Sequence, residues 1–242
     1  MARCARIISS NLPMHIMNRG NNRQPLFTSR EEKLYFLYLL HKMKSINGVH
    51  IYHYCLMNNH IHLVVRLEPN ADLSRFLKQV FLAYYSLFRN KHDYVGHLVQ
   101  GRFKSIVIDT EGYLIQCGKY IELNPVRAKI VTNPGDYEFS SYRYYVEGLY
   151  DPLITPDPGF AGLGKDEAAR HLAYRRLVID EEMVSSEKLR SHLYLGSEVF
   201  IKRMENEFGI RNVAPRRGRP KKSEKNRNVP ILENPHFIDK NS

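Results

Sequence analysis

The chain has 242 residues, 43% hydrophobic and 11% aromatic, a globular composition that excludes a chain disordered throughout. Lys and Arg number 36 against 25 Asp and Glu, a formal net charge of +11, so the partner to expect is a polyanion. The three cysteines form no C-x-x-C pair, which excludes the usual zinc finger and points to a reduced, cytoplasmic setting, and neither a membrane-length apolar run nor a secretory leader is visible.

A short strand from Met14 to Asn18 leads into the polar turn NRGNNRQ. Thr28 or Ser29 then caps a helix running to about Gly48, with Glu31 and Glu32 in its first turn and Leu34, Phe36, Leu37, Leu40 and Met43 at helical spacing. GVHIYHYCLM reads as a strand, Asn58 and Asn59 as a tight turn, and His60 to Leu67 as the returning arm of a hairpin. A second helix, Asp72 to Asn90, carries the apolar stripe Leu73, Phe76, Leu77, Val80, Phe81, Tyr84 and Phe88. GRFKSIVID alternates as a fourth strand, residues 110 to 123 return to helical spacing, and Pro125 opens another short helical piece.

The order βαββαβα predicts an α+β fold: a ferredoxin-like βαββαβ sandwich with an antiparallel sheet and an added helix after its last strand. A Pro- and Gly-rich stretch, EGLYDPLITPDPGFAGLG, marks a boundary near residue 150. The expected organisation is therefore a main domain at 1–150, a helical accessory region at 151–210 and a basic, flexible tail at 211–242.

Two motifs stand out for chemistry. MNNHIHLVV puts His60 and His62 two residues apart on a strand, hence on one face, and neutral imidazole is a common metal ligand. An arbitrary His-x-His is equally at home as a solvent-facing or half-buried pair. In EGYLIQCGKYIELNPVRA, Leu114, Cys117 and Ile121 fall on one helical face, and Gln116, Tyr120 and Asn124 on another. A tyrosine hydroxyl and a carboxamide one turn on then address one point. The same residues also read as an amphipathic surface tyrosine and an N-cap asparagine before Pro125 at N1.

Together, His60-Ile61-His62, Tyr120 within YIELNPVRA, the NRGNNR turn and QGRFKS resemble the HUH-class single-tyrosine transposases, and among them the REP-associated tyrosine transposases. The resemblance spans about residues 10 to 150 in order and spacing. It implies metal-dependent cleavage and strand transfer of single-stranded DNA through a 5′-phosphotyrosine, on hairpin-forming repeats. Tyr120 would be the nucleophile, and His60, His62 and Asn124 would hold one divalent ion, with Gln116 as the alternative third ligand. Ligand softness alone would favour Zn²⁺ or Mn²⁺ for two imidazoles; the resemblance implies Mg²⁺ or Mn²⁺. It also implies a bacterial, nucleoid-associated location, and leaves monomer and homodimer both open. His53 receives no role.

Basic and aromatic residues interleave in NRGNNR, FLAYYSLFRNKHDY and GRFK, the mixture that single-strand binding uses. Arg19, Arg23, Arg89, Arg102 and Lys104 are the candidate phosphate contacts, while the spacing of Phe81, Tyr84 and Phe88 also fits a core. In the tail, RRGRPKK resembles an AT-hook core, with Arg217 and Arg219 around Gly218 suited to a narrow minor groove; a nonspecific electrostatic aid is the other reading. The competing function is a non-cleaving DNA-binding regulator on the same fold. A histidine-ligated metal hydrolase would need a further ligand that the motifs do not supply.

Overall fold

The computed structural model describes residues 6–109, 111–179 and 192–212. β1 (Met14–Arg19), β2 (Val49–Met57), β3 (His60–Leu67) and β4 (Lys104–Ile108) form an antiparallel sheet in the order β2-β3-β1-β4. α1 (Arg30–Lys44) and α2 (Leu73–His92) are the two crossover helices and pack on each other. This is the ferredoxin-like α+β order expected from the sequence.

Each helix begins where its side chains satisfy the first free amides. Ser29 accepts from the Glu32 N–H and Asp72 from the Arg75 N–H. The apolar stripe of α2 is core: Leu73, Phe76, Leu77, Val80, Tyr84 and Phe88 are buried, and Phe81 is half-buried against them. Each such side chain contributes about 1.5–3 kcal/mol by leaving water.

The pleat divides the sheet into two unlike faces. Met14 and Ile16 of β1 share one face with Ile61, Leu63 and Val65 of β3, all 0% exposed. The other face carries His15, Met17 and Arg19 beside His60, His62 and Val64. In β2 the register shifts by one residue: Ile51 opposes Val65 but His53 opposes Val64. That bulge keeps Ile51 on the aliphatic face while turning His53 onto the histidine face. α3 (Glu111–Glu122) covers the histidine face, packing on β2 and β3.

The segment beyond residue 150 returns to this body. α5 (Tyr142–Glu147) packs on α7 (Glu167–Ile179), and α6 (Pro158–Ala161) packs on α3. A two-residue strand, β5 (Tyr194–Leu195), pairs parallel with β4 and makes the sheet five-stranded; α8 (Glu198–Phe208) follows it. The all-antiparallel sheet read from the sequence thus gains one parallel edge, because two residues are too few to show an alternation. The outer edge of β2 is also bonded. Leu56 N–H donates to Phe139 at 2.9 Å, Ser141 N–H to Tyr54 at 3.0 Å and Thr155 N–H to Ile51 at 2.8 Å. Arg217 and Arg219, with the rest of the tail, lie outside the described residues. No described helix is long and apolar enough to cross a membrane.

Candidate active site

β3 begins directly after the Asn58-Asn59 turn, so His60 sits half-buried at the strand's mouth and His62 lies one pleat further in, 4% exposed. Their ring centroids are 4.9 Å apart at 84°. Each ring is tied through Nδ1. His60 Nδ1–H donates to Asn59 Oδ1 at 2.7 Å, which assigns its lone pair to Nε2. His62 Nδ1 meets Nε2 of His15 at 2.8 Å. His15 comes from β1 and was not singled out in the sequence. Burial lowers its pKa to about 4, so it is neutral near pH 7.

α3 brings Tyr120 to the same face. The tyrosine is 4% exposed and its ring stands edge-on to His62 with centroids 6.5 Å apart, so the surface-tyrosine reading is corrected. The helix stops two residues later, and Pro125 explains how. Proline has no N–H, so the Ile121 carbonyl loses its donor four residues on. The Asn124 side chain supplies one instead, Nδ2 to Ile121 O at 3.0 Å. The Tyr120 carbonyl is taken by Nη2 of Arg127, whose guanidinium lies 4.0 Å from the centre of the Tyr120 ring.

The N-cap reading of Asn124 is corrected as well. α4 (Asn124–Arg127) starts at Asn124, with Leu123 in the cap position and no side-chain cap bond. Gln116 and Tyr120 share a turn of α3, whereas Asn124 opens a new helix. With Nδ2 committed to Ile121, the acceptor Asn124 offers is Oδ1. Gln116 Oε1 is buried without a hydrogen-bond partner among the described residues.

Among the described residues, no three His, Cys, Asp or Glu side chains gather as a metal cluster. An ion at the histidine pair would rest on two imidazole nitrogens and a neutral carboxamide oxygen from Asn124 or Gln116. Those donors fit a divalent ion that keeps positions for water and phosphate oxygen.

The candidate phosphate contacts divide by position. Arg19 opposes His60 across β1 and β3, and Lys104 opposes Met17, so both lie on the histidine face. Arg19 Nε donates to Gln100 Oε1. Arg23 is exposed and left-handed (φ 62°) at the end of a 3-10 turn, Asn21–Arg23. That turn is fastened beside His60, because the Gly20 N–H donates to Asn59 O at 2.8 Å. A Cβ on Gly20 would stand 2.1 Å from the Gln24 carbonyl oxygen, so the turn requires glycine there. Arg102 is exposed just before β4. Arg89 is exposed in the last turn of α2, in a different layer from α3.

Behind the tyrosine lies a buried ionic cluster. His53 Nδ1 is 2.9 Å from Glu122 Oε1 and its Nε2 2.9 Å from Asp157 Oδ2, and all three side chains are fully buried. Glu122 also accepts from the Tyr174 hydroxyl at 2.9 Å and from Ser141. Burial alone would lower the His53 pKa; hydrogen bonds to Asp157 and Glu122, and their charges, raise it to about 9. The His53 ring stacks on Tyr145 at 4.4 Å and lies against Gly118, where a Cβ would meet it at 2.5–2.6 Å.

Residues 8–124 match the family model described as transposase, IS200 like. That class is one of DNA-processing enzymes. Through this segment, just under half of its length, the chain is similar to the IS200-like transposases. A solved REP-associated tyrosine transposase bound to a REP hairpin is 21% identical over 65% of this chain and 93% of its own, with a TM-score of 0.53, so the two share a fold. A candidate transposase from Deinococcus radiodurans R1 is 15% identical over 53% of this chain and 92% of its own, with a TM-score of 0.35. No curated protein matches the chain.

Proposed function

We propose that this protein cuts and rejoins single-stranded DNA through Tyr120, as a metal-dependent transposase acting on hairpin-forming repeats. The observation that carries this reading is the Tyr120 ring standing 6.5 Å from His62, beside the His60–His62 pair on one sheet face. The hairpin on the similar transposase supports the choice of substrate.

His60 and His62, with Asn124 or Gln116, would hold Mg²⁺ or Mn²⁺. When bound, such an ion draws charge from the scissile phosphate. The Tyr120 oxygen, once its proton is lost, attacks the phosphorus. The bond formed is P–O to tyrosine and the bond broken is P–O3′; the 3′-hydroxyl leaves and a 5′-phosphotyrosine stays. Attack by another 3′-hydroxyl reverses the exchange, so rejoining needs no nucleotide cofactor. Arg19, Lys104, Arg23 and Arg102 supply backbone contacts near the site, which position DNA without reading it. In this reading, residues 1–150 are the catalytic domain, 151–210 an accessory region, and the tail with Arg217 and Arg219 an auxiliary DNA contact in the bacterial nucleoid.

Arg127 holds the orientation of the Tyr120 ring from above. Arg127→Ala is expected to slow the covalent step about tenfold in single-turnover assays while DNA affinity changes little.

The test is a covalent-adduct assay with labelled hairpin DNA on a denaturing gel. A shifted band is expected that needs Mg²⁺ or Mn²⁺, disappears with chelator, and is absent from the double variant His60→Ala, His62→Ala. DNA binding with no adduct under any ion would replace this reading with that of a non-cleaving regulator.

A further inference from the structure

His15 occupies a place on β1 where its cross-strand neighbours are Val64 and Ile106. An aliphatic side chain would pack there without desolvation. Instead the fold buries an imidazole, 2% exposed, whose Nδ1 has no hydrogen-bond partner among the described residues, an arrangement that costs free energy unless the ring serves another group. Among the described residues the ring's polar contact is with His62: Nε2 to Nδ1 at 2.8 Å. The ring centroids are 5.1 Å apart with planes 17° off parallel, so the rings meet edge to edge, along the direction of the lone pairs.

We propose that His15 is the positioning residue of the ion site, accepting the Nδ1 proton of His62 so that the Nε2 lone pair of His62 is presented to the ion. The inference rests on the reading of His60 and His62 as ion ligands. A ligand imidazole needs its metal-facing nitrogen bare, and its tautomer is set by what the other nitrogen donates to. For His60 that acceptor is Asn59 Oδ1 on the adjoining turn. For His62, deep in the sheet, it is His15. The two ligands are thus held by different means: one by a local side chain, the other from a strand 47 residues away.

The test is Mn²⁺ binding by the full chain without DNA, followed by electron paramagnetic resonance. His15→Phe is expected to weaken binding about 10–100-fold, the usual effect of losing such a partner. His15→Gln, whose amide oxygen also accepts, is expected to restore most of it. Wild-type affinity in folded His15→Phe would overturn the inference. So would long-range ¹H–¹⁵N correlations of the Mg²⁺-saturated wild type showing the His62 proton on Nε2, a measurement that needs no variant. The double variant His60→Ala, His62→Ala separates the two readings. Undiminished Mn²⁺ binding there, or none in the wild type, overturns the ion site itself. Loss in the double variant without an effect of His15→Phe overturns only the role of His15.

Discussion

Tyr120→Phe is expected to abolish the protein–DNA adduct and lower cleavage by about 1,000-fold or more, with affinities for DNA and Mn²⁺ within about twofold of wild type. The substitution removes one oxygen and little else. The ring remains at 4% exposure beside His62 and the Arg127 guanidinium, so its packing among the described residues is kept, as are His60 and His62 as the proposed ion ligands. Single-turnover adduct formation measured beside fluorescence anisotropy would separate the two roles. A parallel loss of DNA binding would make the residue a packing or binding group. An adduct that persisted would move the nucleophile elsewhere, with Tyr113 on the same helix examined first.

The second large effect is on stability. Asp157→Asn or Glu122→Gln is expected to cost about 3–5 kcal/mol, because each leaves the buried, charged His53 with one counter-charge fewer. The pH dependence has a definite sign. The pKa of His53 is raised in the folded state, so its contribution is fully present below the unfolded value near 6.5 and is lost as pH rises through about 9. Urea midpoints should therefore fall between about pH 7 and 9.5 in the wild type, and fall less in His53→Leu. A flat wild-type profile would show that the cluster is not ionised as described. Glu122 follows Tyr120 by two residues, so the same cluster fixes the end of the tyrosine helix to β2, α6 and α7. Gly118→Ala would drive a methyl into the His53 ring and should act in the same direction.

What was legible in the sequence was local. Period-two spacing put His60 and His62 on one face, and period-3.6 spacing gave α1, α2 and α3, since both signals lie within a few residues. The residues that went unread have distant partners. His15 meets His62 across 47 positions, and His53 meets Glu122 and Asp157 across 69 and 104, pairings that only the sheet order and the packing of α6 create. Asn124 shows a different limit. Its neighbour Pro125 was visible and suggested a cap, yet the stronger consequence was the missing donor to Ile121, which turned the amide backward. β5 left no trace because a strand of two residues has no period.

The bonded rims of the sheet have a consequence for how copies of this protein can meet. A strand with a bare row of amides is the easiest place for a second chain to add on. Here the outer side of β2 is occupied at Ile51, Tyr54 and Leu56, and the end of β4 donates from Val107 and Asp109 to Leu193 and Leu195. What remains of β4 on that side is Lys104 to Ile106, a stub headed by a charge. Among the described residues the sheet thus keeps little bare edge beside β2 and β4, so two molecules gathered on one DNA are expected to meet through helices or through the nucleic acid rather than along these two strands.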